Sequence, residues 1–377
     1  MTETVTVVFG GPSPEHDISI LTGLLCERVL VKSGVDVQCL YWDRGGRWHL
    51  VAPHTEARDY LSGAPAKATK LELRLGAGSG DGFVRKPGLR GSQLELGAVL
   101  TCFHGGFGEG GGAQALFELL GVPATGGTVA AAALGLDKLA FGSLMADAGI
   151  PSLPRQFLGP EARPSFDGPY IVKPRFGGSS IGIEVVDDYE TAVALRASSL
   201  HLRAGAVVEP YRKDLFDLNI SFKTYPDFEV SSLERPLRPG DGAIYSFQNK
   251  YIHDSGLISA PREVPAKNVS ESTAKMARNL SRRVAELTGL TGIVRVDFLC
   301  DGENLYVNEV NSIPGSMALY LWPDRDPARI LLDAIQEARL ASRYLSTTSF
   351  EEGAALRAAG GIAGKLSGLG QSQGRSS

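Results

Sequence analysis

Alternating and continuous apolar positions divide the chain into strands and helices before any chemistry is considered. Residues 5–9 form a short apolar run that reads as a buried strand, followed by the turn Gly10-Gly11-Pro12-Ser13-Pro14. Apolar residues recur at helical spacing over 18–32, and 35–42 reads as a second strand, which makes a βαβ unit. From 52 to 96 the pattern weakens into short strand-like runs between Gly/Pro loops, expected to be an insertion on the first domain. Residues 97–103 read as a buried strand, 104–112 as a glycine-rich loop and 113–120 as a helix.

One helix is expected over 128–148, ended before Pro151. Strands follow at 170–173 and 181–186 around a second glycine-rich loop, then a helix at 189–198 and strands at 206–209, 218–223 and 228–234. A long amphipathic helix at 271–287 precedes strands at 292–299 and 305–310, and a helix at 327–344 closes the ordered part. No aromatic residue follows Phe350, and 353–377 is rich in Ala, Gly and Ser. A short helix near 350–357 and otherwise a flexible tail over 346–377 are expected. This order suggests an α/β first domain (1–126) and two α+β units (127–210 and 211–345).

With 377 residues, 43% apolar and 21% charged, the chain has the balance of a globular protein of two or three domains. A net charge of −4 with no Lys/Arg-rich block argues against nucleic acid as a partner. No stretch reaches the roughly 18 apolar residues of a membrane span. Cys26, Cys39, Cys102 and Cys300 stand singly among apolar neighbours, without a Cys-x-x-Cys pair, and read as reduced core thiols. The start of the chain carries no basic leader or cleavage site, so a cytoplasmic setting is expected.

Chemistry concentrates in three places. In Lys173-Pro174-Arg175-Phe176-Gly177-Gly178-Ser179-Ser180-Ile181-Gly182 the lysine precedes the glycines and a strand follows them. A Walker loop has the opposite order and opens a helix. The segment therefore reads as a hairpin flap whose N–H groups and hydroxyls can line an anion, with Lys173 as a point charge, although an ordinary hairpin turn has the same glycines. His104 to Gly112 joins a strand to a helix, where exposed N–H groups can hold an anion or glycine can simply permit a strained crossover.

The third place is a hairpin. Arg295 and Asp297 share one face of a strand, with Val294, Val296 and Phe298 on the other. Glu309 and Asn311 share a face of the next strand, together with Leu305 and Val307. A three-residue loop at 302–304 sets Asp297 directly opposite Glu309, whereas a two-residue loop separates them to opposite faces. Two acids at that separation repel, and a cation between them removes the repulsion. Two carboxylates and an amide oxygen suit Mg²⁺ bridging phosphate oxygens.

Together these residues resemble the ATP-grasp superfamily and, within it, the D-alanine–D-alanine ligases, over about residues 4–344. Five ordered blocks carry the resemblance: Gly10-Gly11-x-Ser13-x-Glu15-His16-x-Ile18-Ser19; His104-Gly105 with Gly108-Glu109 and Gln114; Asp137-Lys138; Val172-Lys173-Pro174 with Gly178-Ser179-Ser180-x-Gly182; and Arg295-x-Asp297-Phe298 with Asn308-Glu309-x-Asn311-x-x-Pro314-Gly315.

The implied fold is a Rossmann-like N-terminal domain with a mostly parallel sheet, followed by two ATP-grasp subdomains. The implied activity joins two amino acids at the expense of ATP through an acyl phosphate, D-alanine with D-alanine for peptidoglycan precursor being the leading case. Lys138, Lys173, Ser180 and Lys250 would contact the nucleotide, with Glu209 and its strand at the adenine and Asp217 at the ribose. Asp297, Glu309 and Asn311 would hold two Mg²⁺ ions, with Mn²⁺ as a substitute. Arg295 and the Gly315 N–H would stabilise the oxyanion. Glu15 would bind the first amino group, with Ser179 and Tyr251 beside it. Lys250 and Tyr251 would sit in a lid that shuts out water. The family is commonly a homodimer.

Three positions depart from the family pattern. Gly110 stands where an acid is usual, Pro210 follows Glu209 where a lysine is common, and Tyr320 occupies the place of a serine that grips the second substrate's carboxylate. With Leu321, Tyr320 would shape the acceptor pocket. The alternative is an ATP-grasp amide ligase of specialised metabolism with another acceptor: an L-amino acid, a hydroxy acid or an amine.

Overall fold

The first strand, β1 (Val5–Gly10), is buried along its whole length. Helix α1 (His16–Lys32) crosses back to β2 (Val37–Trp42), which pairs parallel with β1. Beyond β2 the same sheet grows antiparallel through β3 (Trp48–Val51), β4 (Thr69–Arg74), β5 (Gly82–Arg85) and β6 (Ser92–Gln93). Then β7 (Ala98–Thr101) returns to the far side of β1, parallel to it, giving the order β6-β5-β4-β3-β2-β1-β7. These coordinates come from a computed structural model that describes residues 4–76, 81–85, 92–161, 163–237, 261–341, 354–359, 362 and 366.

The expected α/β fold class is present, but the first sheet is mixed rather than mostly parallel. A parallel neighbour needs a crossover long enough for a helix. The connection at 43–47 is too short for one, and that at 52–68 carries nothing longer than the 3₁₀ turn Ala57–Tyr60; both reverse the direction of the chain. The stretch read as an insertion is therefore an extension of the sheet, joined to it by the pairing of β4 with β3 and by the edge-to-face contact of Phe83 with Trp48 (centroids 5.0 Å apart). Gly10 ends β1 with φ +94°, and a Cβ there would lie 2.3 Å from the Trp42 carbonyl oxygen. Only glycine lets the chain turn so close to β2 and run into the loop that carries Glu15.

The single helix expected over 128–148 is two, α2 (Ala113–Leu119) being followed by α3 (Val129–Leu136) and α4 (Lys138–Asp147). Asp137 breaks them apart with an extended backbone (φ −82°, ψ 97°). Its carboxylate accepts from the N–H groups of Leu139 and Ala140 and from the Arg175 guanidinium, while the Lys138 N–H donates to the Arg175 carbonyl. Tertiary bonds to the flap thus outweigh the helix propensity of the alanine-rich sequence.

The second sheet is antiparallel: β8 (Gln156–Phe157), β9 (Tyr170–Pro174), β10 (Glu184–Val186) and β11 (Ala206–Pro210), in the order β10-β9-β11-β8, with α5 (Tyr189–Ser198) against it. The third contains β12 (Phe216–Lys223) and β13 (Glu229–Val230). After the small pair β14 (Arg235–Pro236) and β15 (Arg262–Glu263) and the helix α6 (Glu271–Thr288), it is completed by β16 (Ile293–Cys300) and β17 (Leu305–Asn311). Ser270 caps α6 at its start and Gly289, left-handed, ends it. The last helix of this compact unit, α7 (Pro327–Leu340), stops short of the expected residue 344.

Ile313, Met317, Leu321 and the α7 residues Ile330, Leu331 and Ile335 join Val7, Phe9, Leu40 and Leu100 in the core under the first sheet. Residues following the third sheet thereby close the first. A second core lies between α6 and the third sheet, around Phe222, Val284, Val296 and Phe298. Residues 342–377 form a separate unit in which Ala354–Ala359 is helical. Among the described residues no helix is long and apolar enough to cross a membrane.

Replacing Asp137 with Ala is expected to cost about 1–2 kcal/mol, the usual worth of a helix cap. Urea unfolding checks this; an unchanged midpoint would mean that the helix break does not depend on the Asp137 carboxylate.

Candidate active site

Strands β16 and β17 set Asp297 directly opposite Glu309 and Arg295 opposite Asn311. The turn that achieves this differs from the expected one. Cys300 pairs with Leu305, so the loop is residues 301–304, with the Asp301 carboxylate accepting from the N–H groups of Glu303 and Asn304. Continued without interruption, that register would place Asp297 opposite Asn308. A β-bulge absorbs Asn308 and restores the Asp297–Glu309 pairing. It also inverts the side-chain alternation, so Leu305 and Val307 do not share a face with Glu309. Both are 1% exposed in the core, whereas Asn308, Glu309 and Asn311 line the pocket.

Basic groups surround this hairpin. Arg295 grips Asp297 through two bonds (2.6 and 2.8 Å), and Asn311 Nδ2 donates to the same carboxylate at 3.1 Å. Lys138 Nζ lies 3.5 Å from Glu309 and donates to the Gly177 carbonyl of the flap. Lys173 Nζ donates to Glu209 at 2.8 Å and to Asn308 Oδ1 at 3.1 Å. Arg155, absent from the sequence-based expectations, ties the site together: it donates to Glu209 (2.6 Å), the Lys138 carbonyl (2.6 Å) and the Asn308 carbonyl (2.8 Å). Burial opposes the charge on Glu209, but Arg155 and Lys173 overcome it and hold the carboxyl below its ordinary range.

A second cluster forms where the loop after β1 meets the flap. Ser179 Oγ donates to Glu15, and Ser179 and Ser180 both have positive φ (53° and 58°). The Gly105 N–H donates to Glu109 Oε2 at 2.6 Å; Gly105 has φ +64°, a backbone that glycine adopts without strain, and a Cβ there would stand 2.3 Å from the Glu15 carboxylate. Desolvation first, and the Glu15 charge second, push the Glu109 carboxyl up to about 7. His104 is buried, its Nε2 2.8 Å from Thr22 Oγ1, and burial followed by Arg295 lowers it to about 4, so it is neutral near pH 7.

One cavity of about 330 Å³ gathers these groups. The loop after β1 supplies Glu15, the start of α4 supplies Lys138, the second sheet supplies Lys173 and Glu209, and the flap between β9 and β10 supplies Ser179 and Ser180. The third sheet supplies Asp217, Arg295, Asp297, Glu309 and Asn311, and the turn after it Gly315 and Tyr320. Leu321 does not line the cavity: it is fully buried in the first core. Lys250 and Tyr251 lie outside the described residues. Glu234 and Arg262, which the sequence did not single out, also line the wall, bonded to Tyr320 and stacked on it respectively.

Asp297, Glu309 and Asn311 form a hard-oxygen set of the kind that suits a divalent cation. Among the described residues no group of three His, Cys, Asp or Glu converges, because the third member here is an amide. The lysines, the flap N–H groups and this set are equipped to hold a polyphosphate and neutralise its charge.

The family model described as D-ala D-ala ligase N-terminus matches residues 4–127, and the one described as D-ala D-ala ligase C-terminus matches 141–325. The D-alanine–D-alanine ligase of Mycobacterium tuberculosis (strain H37Rv) is 31% identical over 338 residues, covering 85% of this chain and 89% of that protein. That of Sulfurovum sp. (strain NBC37-1) is 28% identical over 331 residues, with the same coverage. Among solved structures, the VanG D-Ala:D-Ser ligase from Enterococcus faecalis superposes with a TM-score of 0.73 at 20% identity, covering 90% of this chain and all of that one. The D-alanine–D-alanine ligase from Helicobacter pylori gives 0.69 at 23% identity, covering 89% and 98%.

Glu109 makes stability pH-dependent. Its folded value of about 7 lies above the ordinary 4.5, so between those values the folded state binds the proton more tightly than the unfolded one. Stability therefore falls as pH rises through this window, and the penalty is complete above it. Glu109→Gln is expected to gain stability relative to the parent at pH 8, with the gain fading toward pH 5 in urea unfolding. A difference independent of pH would refute the assignment.

Proposed function

Because the chain belongs to the D-alanine–D-alanine ligase family, we propose that it joins D-alanine to D-alanine with ATP, forming the dipeptide of peptidoglycan precursor through an acyl phosphate. The carboxylate of the first amino acid attacks the γ-phosphorus of ATP and ADP leaves. The amine of the second then attacks the acyl carbon, loses a proton, and the tetrahedral intermediate expels phosphate. A carboxylate is a poor electrophile, and phosphorylation supplies its leaving group.

In this reading Glu15, with Ser179, holds the first ammonium group. Lys138, Lys173 and Ser180 neutralise and orient the phosphates, so the protein contributes position and charge rather than a nucleophile. Glu209 and its strand border the adenine, and Asp217 the ribose. Arg295 and the Gly315 N–H stabilise the oxyanion. Asp297, Glu309 and Asn311 would hold Mg²⁺, or Mn²⁺ in its place, which supplies further charge neutralisation at the phosphates. The flap, together with a lid containing Lys250 and Tyr251, keeps water from the acyl phosphate. The same reading treats 1–126, 127–210 and 211–345 as three domains around the site, in a cytoplasmic homodimer.

The observation that carries it is the convergence of Lys138 and Lys173 with the Asp297–Glu309 pair beneath a serine-glycine flap, in one cavity. Purified protein with ATP, Mg²⁺ and D-alanine should release phosphate and D-Ala-D-Ala in equal amounts; no dipeptide at any D-alanine concentration sinks the proposal. Asp297→Asn should lower turnover about a thousandfold, the rate equivalent of a few kcal/mol of charge stabilisation, while circular dichroism stays native. Near-normal turnover would remove the metal assignment.

A further inference from the structure

Beside Arg295, part of the pocket wall is built from three side chains that the motifs do not account for: Glu234, Arg262 and Tyr320. Asn219, which stands opposite Asp297 in the β12–β16 pairing, donates its Nδ2 to Glu234 Oε2 at 3.0 Å. The Tyr320 hydroxyl donates to the same oxygen at 3.1 Å. Arg262 approaches the other oxygen, Nη1 to Oε1 at 3.4 Å, and its guanidinium lies 4.2 Å from the centre of the Tyr320 ring.

This geometry decides what each group can offer a ligand. A phenol has one proton. Tyr320 gives it to Glu234 and retains only acceptor capacity, so it cannot grip a carboxylate as a serine hydroxyl in its place would. Glu234 is 3% exposed and faces donors from three sides, whereas the Arg262 side chain keeps 27% of its surface exposed. A guanidinium carries five N–H donors in a planar fork that matches a carboxylate, and stacking on an aromatic face holds that plane still.

We propose that Arg262, braced on the Tyr320 ring and tethered by Glu234, binds the α-carboxylate of the second amino acid, and that the Tyr320 ring restricts this acceptor to a small side chain. The inference rests on the ligase reading and adds the residue that anchors the acceptor. Arg262 contacts substrate; Glu234 and Tyr320 position it, and the ring also sets the size limit.

Initial rates against D-alanine resolve one Michaelis constant for each amino-acid site. Arg262→Leu should raise the second-site constant about 10- to 100-fold, the loss of one charge-assisted pair, and leave those for the first site and ATP within about twofold. Arg262→Lys, which keeps the charge but not the fork, should fall between parent and Leu and serves as the test if the Leu variant does not fold. Tyr320→Phe retains the stacking surface and should shift the second-site constant less than Arg262→Leu. Tyr320→Ser should raise the use of D-norvaline relative to D-alanine as acceptor by about tenfold or more. A second-site constant unchanged in the Arg262 variants, all constants rising together, or an unchanged acceptor preference in Tyr320→Ser would overturn the proposal. In those cases the parent protein would still make D-Ala-D-Ala; if it makes no dipeptide, the ligase reading itself fails.

Discussion

Two carboxylates held face to face across neighbouring strands repel by roughly 3 kcal/mol at ~5 Å and an effective dielectric constant near 20, and the polar side chains around the hairpin are arranged against that repulsion. Arg295 lies on Asp297 and Lys138 faces Glu309. Lys173 is held at the same hairpin by Asn308 and by Glu209, whose burial is made tolerable by Arg155. Each buried charge thus needs the next, and the chain of partners runs from α4 through the second sheet to β17. Removing one member leaves another charge buried without compensation, which costs far more than an exposed ion pair contributes. This network ties Lys138 and Lys173 to the hairpin through contacts within the protein itself.

Backbone strain is concentrated around the same cavity. Ser179 and Ser180 in the flap and Ser316, Met317 and Ala318 after the hairpin all have φ near +50°, a conformation that side-chain-bearing residues avoid. In the second case the core holds the turn in place: Met317, Ala318 and Leu321 are buried under the first sheet, and the Ser316 N–H donates to Thr22 of α1. Packing under the first sheet therefore fixes where Gly315 and Tyr320 stand. This is also why Leu321, adjacent to Tyr320 in sequence, belongs to the core in space.

The polar residues of the pocket were largely legible as motifs, because Lys173, Asp297, Glu309 and Asn311 lie in strands beside turns whose local spacing is visible in the chain. Their partners were not. Arg155 meets Glu209 across 54 positions and Asn308 across 153, and Lys173 meets Asn308 across 135, so no window of sequence holds both ends. Arg262 and Glu234 were missed for the same reason: what makes them notable is their shared contact with Tyr320. The break at Asp137 was hidden because Ala-rich residues on either side favour helix, and only the Arg175 contact reverses that preference.

Alone, the sequence determined the elements with strong periodicity, the two glycine loops and the kind of chemistry their charges can perform, since those depend on neighbours a few residues apart. Tertiary structure decided the direction of β3 to β6, the bulge that turns Glu309 and Asn311 into the cavity, and the pairing of each buried charge. In all three the outcome follows from contacts beyond the local window: antiparallel pairing across connections that carry no crossover helix, one extra residue accommodated against a partner strand, and charges that burial compels to find a counterion.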